Sequence, residues 1–150
     1  MDIIYTPVLK LFGWNSFLNE QPDDLRGIAA EFQQSFATLG CGIAFGTLLV
    51  TTIVCVCFYY FKWCNGSSNR FKYRYRLRWW LCWMAISTIC TIFGTYILEI
   101  LILDNIQLGE KFIFAVTLAN VIYSILCFSF FSIAAAKLRG KQTNASCTPF

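Results

Sequence analysis

Three long uncharged runs dominate the pattern of polar and apolar positions along the chain. Residues 32–61 and 112–136 carry no charge, and residues 79–103 carry only that of Glu99. Each run reaches the roughly 20 apolar residues that a helix needs to cross a hydrocarbon core of about 30 Å. The pattern therefore predicts an all-α integral membrane protein with three transmembrane helices. These predicted spans cover residues 33–61, 79–103 and 112–136.

The segments around the spans belong to one membrane domain, which we expect to cover residues 1–150. Their predicted order is an interfacial N-terminal segment (1–21), a first transmembrane helix with an extramembrane extension (22–62), a basic and aromatic loop (63–78), the second span (79–103), the third span (112–136) and a tail (137–150). Pro22 marks the start of the first helix, because proline suits the first helical turn. This helix is longer than a bilayer requires, so its beginning should project beyond the membrane.

The N-terminal segment predicts a short amphipathic helix. Thr6 is a suitable N-cap and Pro7 a suitable first helical residue, so the helix should begin there. Apolar residues then recur at about helical spacing, namely Val8, Leu11, Phe12, Trp14, Phe17 and Leu18. Such a helix suits the outer membrane interface, and a hydrophobic collar packed on the protein's own helices fits the same pattern.

Basic and apolar residues alternate in a strip directly before the second span. The strip reads Arg70-Phe71-Lys72-Tyr73-Arg74-Tyr75-Arg76-Leu77-Arg78. Its period of two favours an extended strand, and a helical extension of the second span also fits, because Arg and Lys reach headgroups from most directions. We expect the strip and the tryptophans after it to contact anionic lipid headgroups or a partner protein. The predicted contact residues are Arg70, Lys72, Arg74, Arg76, Arg78, Trp79 and Trp80.

The cations are distributed unevenly between the two sides of the predicted membrane. Nine of the twelve lie in residues 62–78 and in the tail, and three lie on the opposite side. The positive-inside rule therefore predicts an N-terminus outside or in the lumen and a C-terminus in the cytoplasm. Asn65 and Asn144 begin glycosylation sequons on the predicted cytoplasmic side, and glycosylation of either would invert this topology.

Two polar residues inside the predicted spans are the candidates for an ion pathway. Glu99 is an ionisable residue within a span, which by default indicates an ion or proton ligand. Because it lies only five residues before Asp104, an interfacial position with a pairing to Lys111 is the favoured role, and an ion pathway is the alternative. Asn120 lies deep in the third span. Interhelical hydrogen bonding is its favoured role, and lining of a pore is the alternative.

Small and weakly polar residues predict close helix packing. Gly42 and Gly46 have the GxxxG spacing, and Gly40 and Ala44 form a second small pair on the adjacent ridge of the same helix. Such residues let two helices approach closely, within one chain or between chains. On the second span, a polar stripe repeats every four residues at Ser87, Thr91 and Thr95.

The composition disfavours catalysis. The chain has no histidine, which removes the commonest general base and the usual nitrogen ligand of metals, so we expect no cofactor, no metal site and no enzyme activity. Most of the eight cysteines fall in the spans, where a thiol behaves as a small hydrophobe. Nucleic acid is disfavoured as a partner.

Two functions fit these features. The first is an accessory or structural subunit of a larger membrane channel or transport complex, bound to other membrane subunits or to copies of itself. The second is a self-assembling homo-oligomeric ion channel with a polar pathway near Glu99 and Asn120. The C-terminal residues Thr148-Pro149-Phe150 resemble a PDZ-type ligand, which would add a further partner at the tail.

Overall fold

The computed structural model describes residues 2–63, 76–103 and 106–138, and this part of the chain is helical, without a strand. The helices are α1 (Asp2–Leu11), α2 (Arg26–Ser35), α3 (Cys41–Cys57), α4 (Arg76–Ile102) and α5 (Ile106–Leu138). A π-helical turn, Phe36–Gly40, joins α2 to α3, and a second, Phe58–Trp63, follows α3.

Three helices are long and apolar enough to cross a membrane, as the charge pattern predicts. They are Arg26–Phe61, Leu77–Ile102 and Gln107–Ala135, and the first of them contains α2, α3 and the π-helical turn between them. The helices α3, α4 and α5 contact each other pairwise, which makes a three-helix bundle. These features are consistent with an integral membrane protein.

The structure differs from the prediction at the end of the basic strip and at the start of the first long helix. Arg76, Leu77 and Arg78 form the first turn of α4, so the strand prediction is wrong for these three residues; residues 70–75 lie outside the described residues. The first long helix begins at Arg26 rather than at Pro22, whose carbonyl instead accepts a turn hydrogen bond. The sequons, the loop at 104–105 and the tail from residue 139 also lie outside the described residues.

The N-terminal helix α1 packs on α5. It begins at Asp2 rather than at the predicted Pro7, which lies inside it. Tyr5 and Leu9, one turn apart, are buried against the bundle, whereas Leu11 is 84% exposed. Burial of that one face outweighs the local preference of proline for the first helical position. The helix ends in a turn at Gly13, whose φ of 81° is a left-handed conformation that glycine adopts without strain.

Residues 2–25, which we call the N-terminal collar, are fastened to the start of α5 by aromatic contacts. The rings of Trp14 and Phe17 meet Phe112 edge to face, at centroid distances of 4.8 and 5.0 Å. The Lys111 ammonium lies 5.1 Å from the Phe112 ring centre and 3.4 Å from a carboxylate oxygen of Glu20. In the structure, this segment therefore packs as a hydrophobic collar on the protein's own helices.

A kink at Gly109 gives Phe32 its place against α5. Gly109 departs from helical geometry, with φ −122° and ψ 16°. A Cβ atom at this position would lie 1.9 Å from the Phe32 ring. Phe32 is 2% exposed and stacks on Phe36 at 5.6 Å. Because Gly109 has no side chain, the beginning of the first long helix contacts α5 directly.

A second apolar cluster closes the opposite end of the bundle. Tyr59, Trp80 and Phe128 are buried there, and the indole nitrogen of Trp80 donates a hydrogen bond to the Ser132 hydroxyl at 3.2 Å. The prediction that Trp80 faces headgroups or a partner is therefore wrong, because its polar atom finds a partner inside the bundle. Trp79 beside it is 39% exposed.

The close contact at Gly109 predicts that one methyl group added at this position destabilises the protein. Gly109→Ala should lower the melting temperature of the detergent-solubilised protein, because overpacking of this kind costs about 1–3 kcal/mol. Gly27→Ala is the matched control, since a Cβ at Gly27 meets nothing within 4 Å. It should leave stability unchanged or raise it. Thermal unfolding followed by size exclusion tests this; equal melting temperatures for the two variants would contradict it.

The docking of the collar should depend on pH. Hydrogen bonds to Glu20, first from the Ser16 hydroxyl and then from Lys111, hold the pKa of its carboxyl below 4.5. A group whose pKa is lowered by folding stabilises the folded state above its unfolded pKa, and this contribution disappears as pH falls through the lowered value. Amide protection in residues 14–25, corrected for intrinsic exchange, should therefore fall as the pH is lowered below about 4.5.

In the Glu20→Gln variant this pH step should be absent, because no carboxylate remains to be protonated. The matched control is Glu31→Gln, another exposed acid that lies outside the collar, and it should retain the step. A step that persists in Glu20→Gln would show that another group controls the docking of the collar.

Candidate functional site

A row of polar side chains runs along the inward face of α4. Ser87, Thr91, Thr95 and Glu99 follow each other at intervals of four residues, which places them one above the other on one helix face. All four are fully buried. We call these four residues the polar row. The sequence predicts the stripe at its first three members, and the fold extends it to Glu99.

Hydroxyl pairs join the middle of α4 to the other two helices of the bundle. The hydroxyl oxygens of Thr51 on α3 and Thr91 lie 2.6 Å apart. Those of Thr88 and Ser124 on α5 lie 3.2 Å apart. A lipid tail offers no hydrogen bond, so these hydroxyls find their partners inside the bundle.

Asn120 connects four helices at the centre of the site. Its amide nitrogen donates to the Ala44 carbonyl at 3.1 Å and to the Thr95 hydroxyl at 3.0 Å. Its amide oxygen accepts from the Tyr5 hydroxyl at 2.7 Å. These bonds reach α3, α4 and α1 from a residue of α5, as expected for a buried amide in a transmembrane helix.

Glu99 is fully buried, and among the described residues neither of its carboxylate oxygens has a hydrogen-bond partner. The predicted pairing with Lys111 is wrong, because the Lys111 ammonium is engaged by Glu20. An isolated ionised carboxylate in apolar surroundings costs of the order of tens of kcal/mol by Born solvation, so such a group takes up a proton or finds a cation. Within the described ranges, no cluster of three acidic, cysteine or histidine side chains could hold a metal ion.

Tyr5 is the member of this site that the sequence does not reveal. It lies in the N-terminal segment, more than a hundred residues from its partner Asn120. Its electrostatic neighbours in the fold are Cys41, Asn120, Glu99 and Tyr123. Only its spacing of four residues from Leu9 could have indicated an inward face, and that signal does not identify a polar partner.

The small residues of α3 and its preceding turn divide into two faces. Gly40 and Ala44 are buried, and a Cβ at Gly40 would lie 2.8 Å from the Phe36 ring. A Cβ at Gly42 or Gly46 would instead meet nothing within 4 Å. The first pair packs inside the chain, and the GxxxG pair lies on its outer surface.

The predicted contact residues of the basic strip are not part of this site. Arg78 and Trp79 are exposed at the opposite end of α4 from Glu99, and of Arg76 only the backbone is described. The remaining members, Arg70, Lys72 and Arg74, lie outside the described residues.

Removing the Asn120 amide should weaken the bundle strongly. Asn120→Leu deletes three hydrogen bonds, and interhelical bonds in membranes are worth about 0.6 kcal/mol on average and up to about 1.7 kcal/mol, so the loss should be about 2–5 kcal/mol. Thr117→Val, one turn earlier on α5, is the matched control, because the buried Thr117 hydroxyl has no hydrogen-bond partner. It should be neutral or stabilising. Reversible unfolding in mixed micelles measures both, and equal losses would refute the assignment.

The chain matches no family model, no curated protein and no solved structure. Its function therefore has to be inferred from the contacts and surfaces of the bundle itself.

Proposed function

We propose that the chain is a non-enzymatic structural subunit of a larger membrane assembly of the channel or transport type, and that it binds its neighbour through the outer face of α3. The observation that carries this proposal is the open surface at Gly42 and Gly46, where an added Cβ meets nothing within 4 Å. In lipid, where tails are as apolar as side chains, small residues drive helix association by letting two backbones pack closely.

The surface around these glycines has the shape of a helix-docking groove. A groove of about 310 Å³ lies between α3 and α4 beside Gly46, with almost entirely apolar walls. Its lining residues are Ile43, Gly46, Thr47, Val50, Thr51, Leu98 and Ile102. Leu39 and Val50, one on either side of the GxxxG pair, are 54% and 63% exposed. Large residues flanking two glycines leave a notch into which one helix of a partner fits.

The bundle already uses a close glycine contact where it needs one. A Cβ at Gly94 on α4 would lie 2.7 Å from a methyl carbon of Thr47 on α3. That contact fixes the approach of the two helices within the chain. The GxxxG pair makes no comparable contact inside the chain, which favours a role between chains.

The burial of the polar row favours a subunit over a self-assembling channel. Glu99 and Asn120 are both fully buried within a single chain. A pore between copies would be lined by outward-facing residues, and the exposed large side chains between the charged ends of α4 and α5 are aliphatic or aromatic. They include Phe93, Leu101, Phe114, Ile122, Leu126 and Phe130. Such faces suit lipid tails or the apolar flank of a neighbouring subunit.

Enlarging the two glycines should abolish the association and leave the bundle intact. We expect a Gly42→Leu/Gly46→Leu double variant to migrate as the isolated chain in native gels of mildly solubilised host membranes, where the natural chain migrates in a larger complex. Ala85→Leu is the matched control, since Ala85 is an exposed small residue on α4 outside the groove. It should retain the complex, and all three proteins should have similar melting temperatures.

Two results would contradict this function. One is a complex that the double variant retains. The other is a purified natural chain that forms a defined homo-oligomer and conducts ions in liposomes, which would assign the protein to the self-assembling channels instead.

A further inference from the structure

We infer that Glu99 is a proton-binding site, in which a carboxylic acid sealed beneath the N-terminal collar binds a proton and releases it when the collar lifts. The inference rests on the surroundings of the carboxyl group and does not depend on association through α3. Glu99 is fully buried, and both of its oxygens lack a hydrogen-bond partner in the part of the chain that the structure describes. A buried group with these properties either carries a proton or binds a cation.

The titratable groups around Glu99 supply no positive charge. Tyr5 on α1 interacts electrostatically with Glu99, and the other such neighbours of Tyr5 are Cys41 on α3 and Tyr123 on α5, none of which is a basic side chain. On α4 itself, the nearby Tyr96 is turned outward. At the start of α5, the Lys111 ammonium faces Glu20 in the collar. The electroneutral form of this site is therefore the one with a proton on Glu99.

A proton fits this site better than a metal ion does. A metal ion needs several oxygen ligands, and the neighbouring oxygens already accept hydrogen bonds. The Ala44 carbonyl and the Thr95 hydroxyl accept from the Asn120 amide nitrogen, and the Asn120 amide oxygen accepts from Tyr5. Coordination of a metal ion by these oxygens would compete with this network, whereas a proton needs only one oxygen of Glu99.

The site lies close to one end of the bundle, so a proton has a short way to travel. Glu99 lies four residues, or about 6 Å along a helix, before Leu103. Leu103 is the last residue that the structure describes after the second span. The collar covers this end, with Tyr5 fully buried and Leu103 4% exposed. Exchange with water therefore requires movement of the collar and no channel through the bilayer.

Tyr5 links the cover to the site. Its hydroxyl is bonded to Asn120, and Tyr123 adds a second tie by donating to the Ile4 carbonyl at 2.9 Å. A negative charge on Glu99 would require donors or water, and α1 carries the buried Tyr5 that interacts electrostatically with Glu99. Loss of the proton and lifting of α1 should therefore favour each other, as linked equilibria do.

A hydrophobic carbodiimide tests the proton directly. Dicyclohexylcarbodiimide reacts with a protonated carboxyl: the acid proton moves to a carbodiimide nitrogen, the carboxyl oxygen bonds to the central carbon, and acyl migration to nitrogen leaves a stable N-acylurea. We expect peptide mass spectrometry of the full chain in phospholipid vesicles at about pH 7 to find this adduct on Glu99, because exposed carboxyls are ionised there. The exposed Glu110, eleven residues later, is the internal control and should stay unmodified.

The pH dependence of Glu99 labelling shows whether its proton exchanges with the solution. Labelling of Glu99 should persist at about pH 6, where exposed carboxyls are already ionised, and should decline as the pH is raised from there into the alkaline range. Constant labelling over this range, or labelling of Glu99 no greater than that of Glu110, would overturn the proposal. Sodium chloride in place of choline chloride at constant pH should not protect Glu99; protection would assign the site to a metal cation and would equally overturn the proton assignment.

Weakening the cover tests its part in exchange. Tyr5→Phe removes the hydrogen bond to Asn120 and keeps the ring, so a water-soluble carbodiimide should label Glu99 several-fold faster than in the natural chain. Tyr96→Phe, a hydroxyl deletion on the outer face of α4, should leave the rate unchanged. Equal rates in both variants would overturn the role of the collar. Glu99→Gln, which resembles the protonated acid in shape, should lose the adduct and retain the melting temperature.

Discussion

The bonding of Asn120 is the interaction on which the arrangement of the helices depends. A hydrocarbon environment offers no hydrogen bonds, so a polar side chain in a span can be stabilised only by partners within the protein. The Asn120 amide meets this requirement with one group from each of three neighbouring helices. Because an amide bonds only over a narrow range of distance and angle, it fixes the depth and rotation of α1, α3 and α4 relative to α5. Apolar packing alone would permit neighbouring registers of similar energy.

The same requirement explains how the protein separates its two kinds of surface. The polar row and its partners fill the interior, where dispersion contacts and hydroxyl pairs hold three helices together. The outer faces are left with large apolar residues and two glycines. A bundle with this distribution is stable as a unit and is still able to bind other membrane proteins, since close packing between chains does not compete with the hydrogen bonds inside.

Much of the architecture is predictable from the sequence, because charge is the strongest signal that a membrane protein carries. Uncharged runs locate the three spans to within a few residues, except at the first helix, which is longer than its apolar core. The partner of a polar residue is harder to predict. Depth along a helix suggests Lys111 for Glu99, yet a residue of the distant collar takes that lysine. Tyr5 has no local feature that identifies its role, because its partner is set by tertiary packing.

The sequence also identifies both ridges of small residues on α3 without indicating which one faces inward. The π-helical turn Phe36–Gly40 bears on that question. A π-helical turn holds one residue more than an α-helical turn, and one residue corresponds to a rotation of about 100° around a helix with 3.6 residues per turn. The turn therefore rotates the side-chain directions after it relative to those before it, within one continuous helix. Before the turn, the helix contacts the third span through Phe32. After the turn, it contacts both the second and the third span and carries the outer groove, so a single helix contributes to the packing of the collar, to the bundle and to the groove.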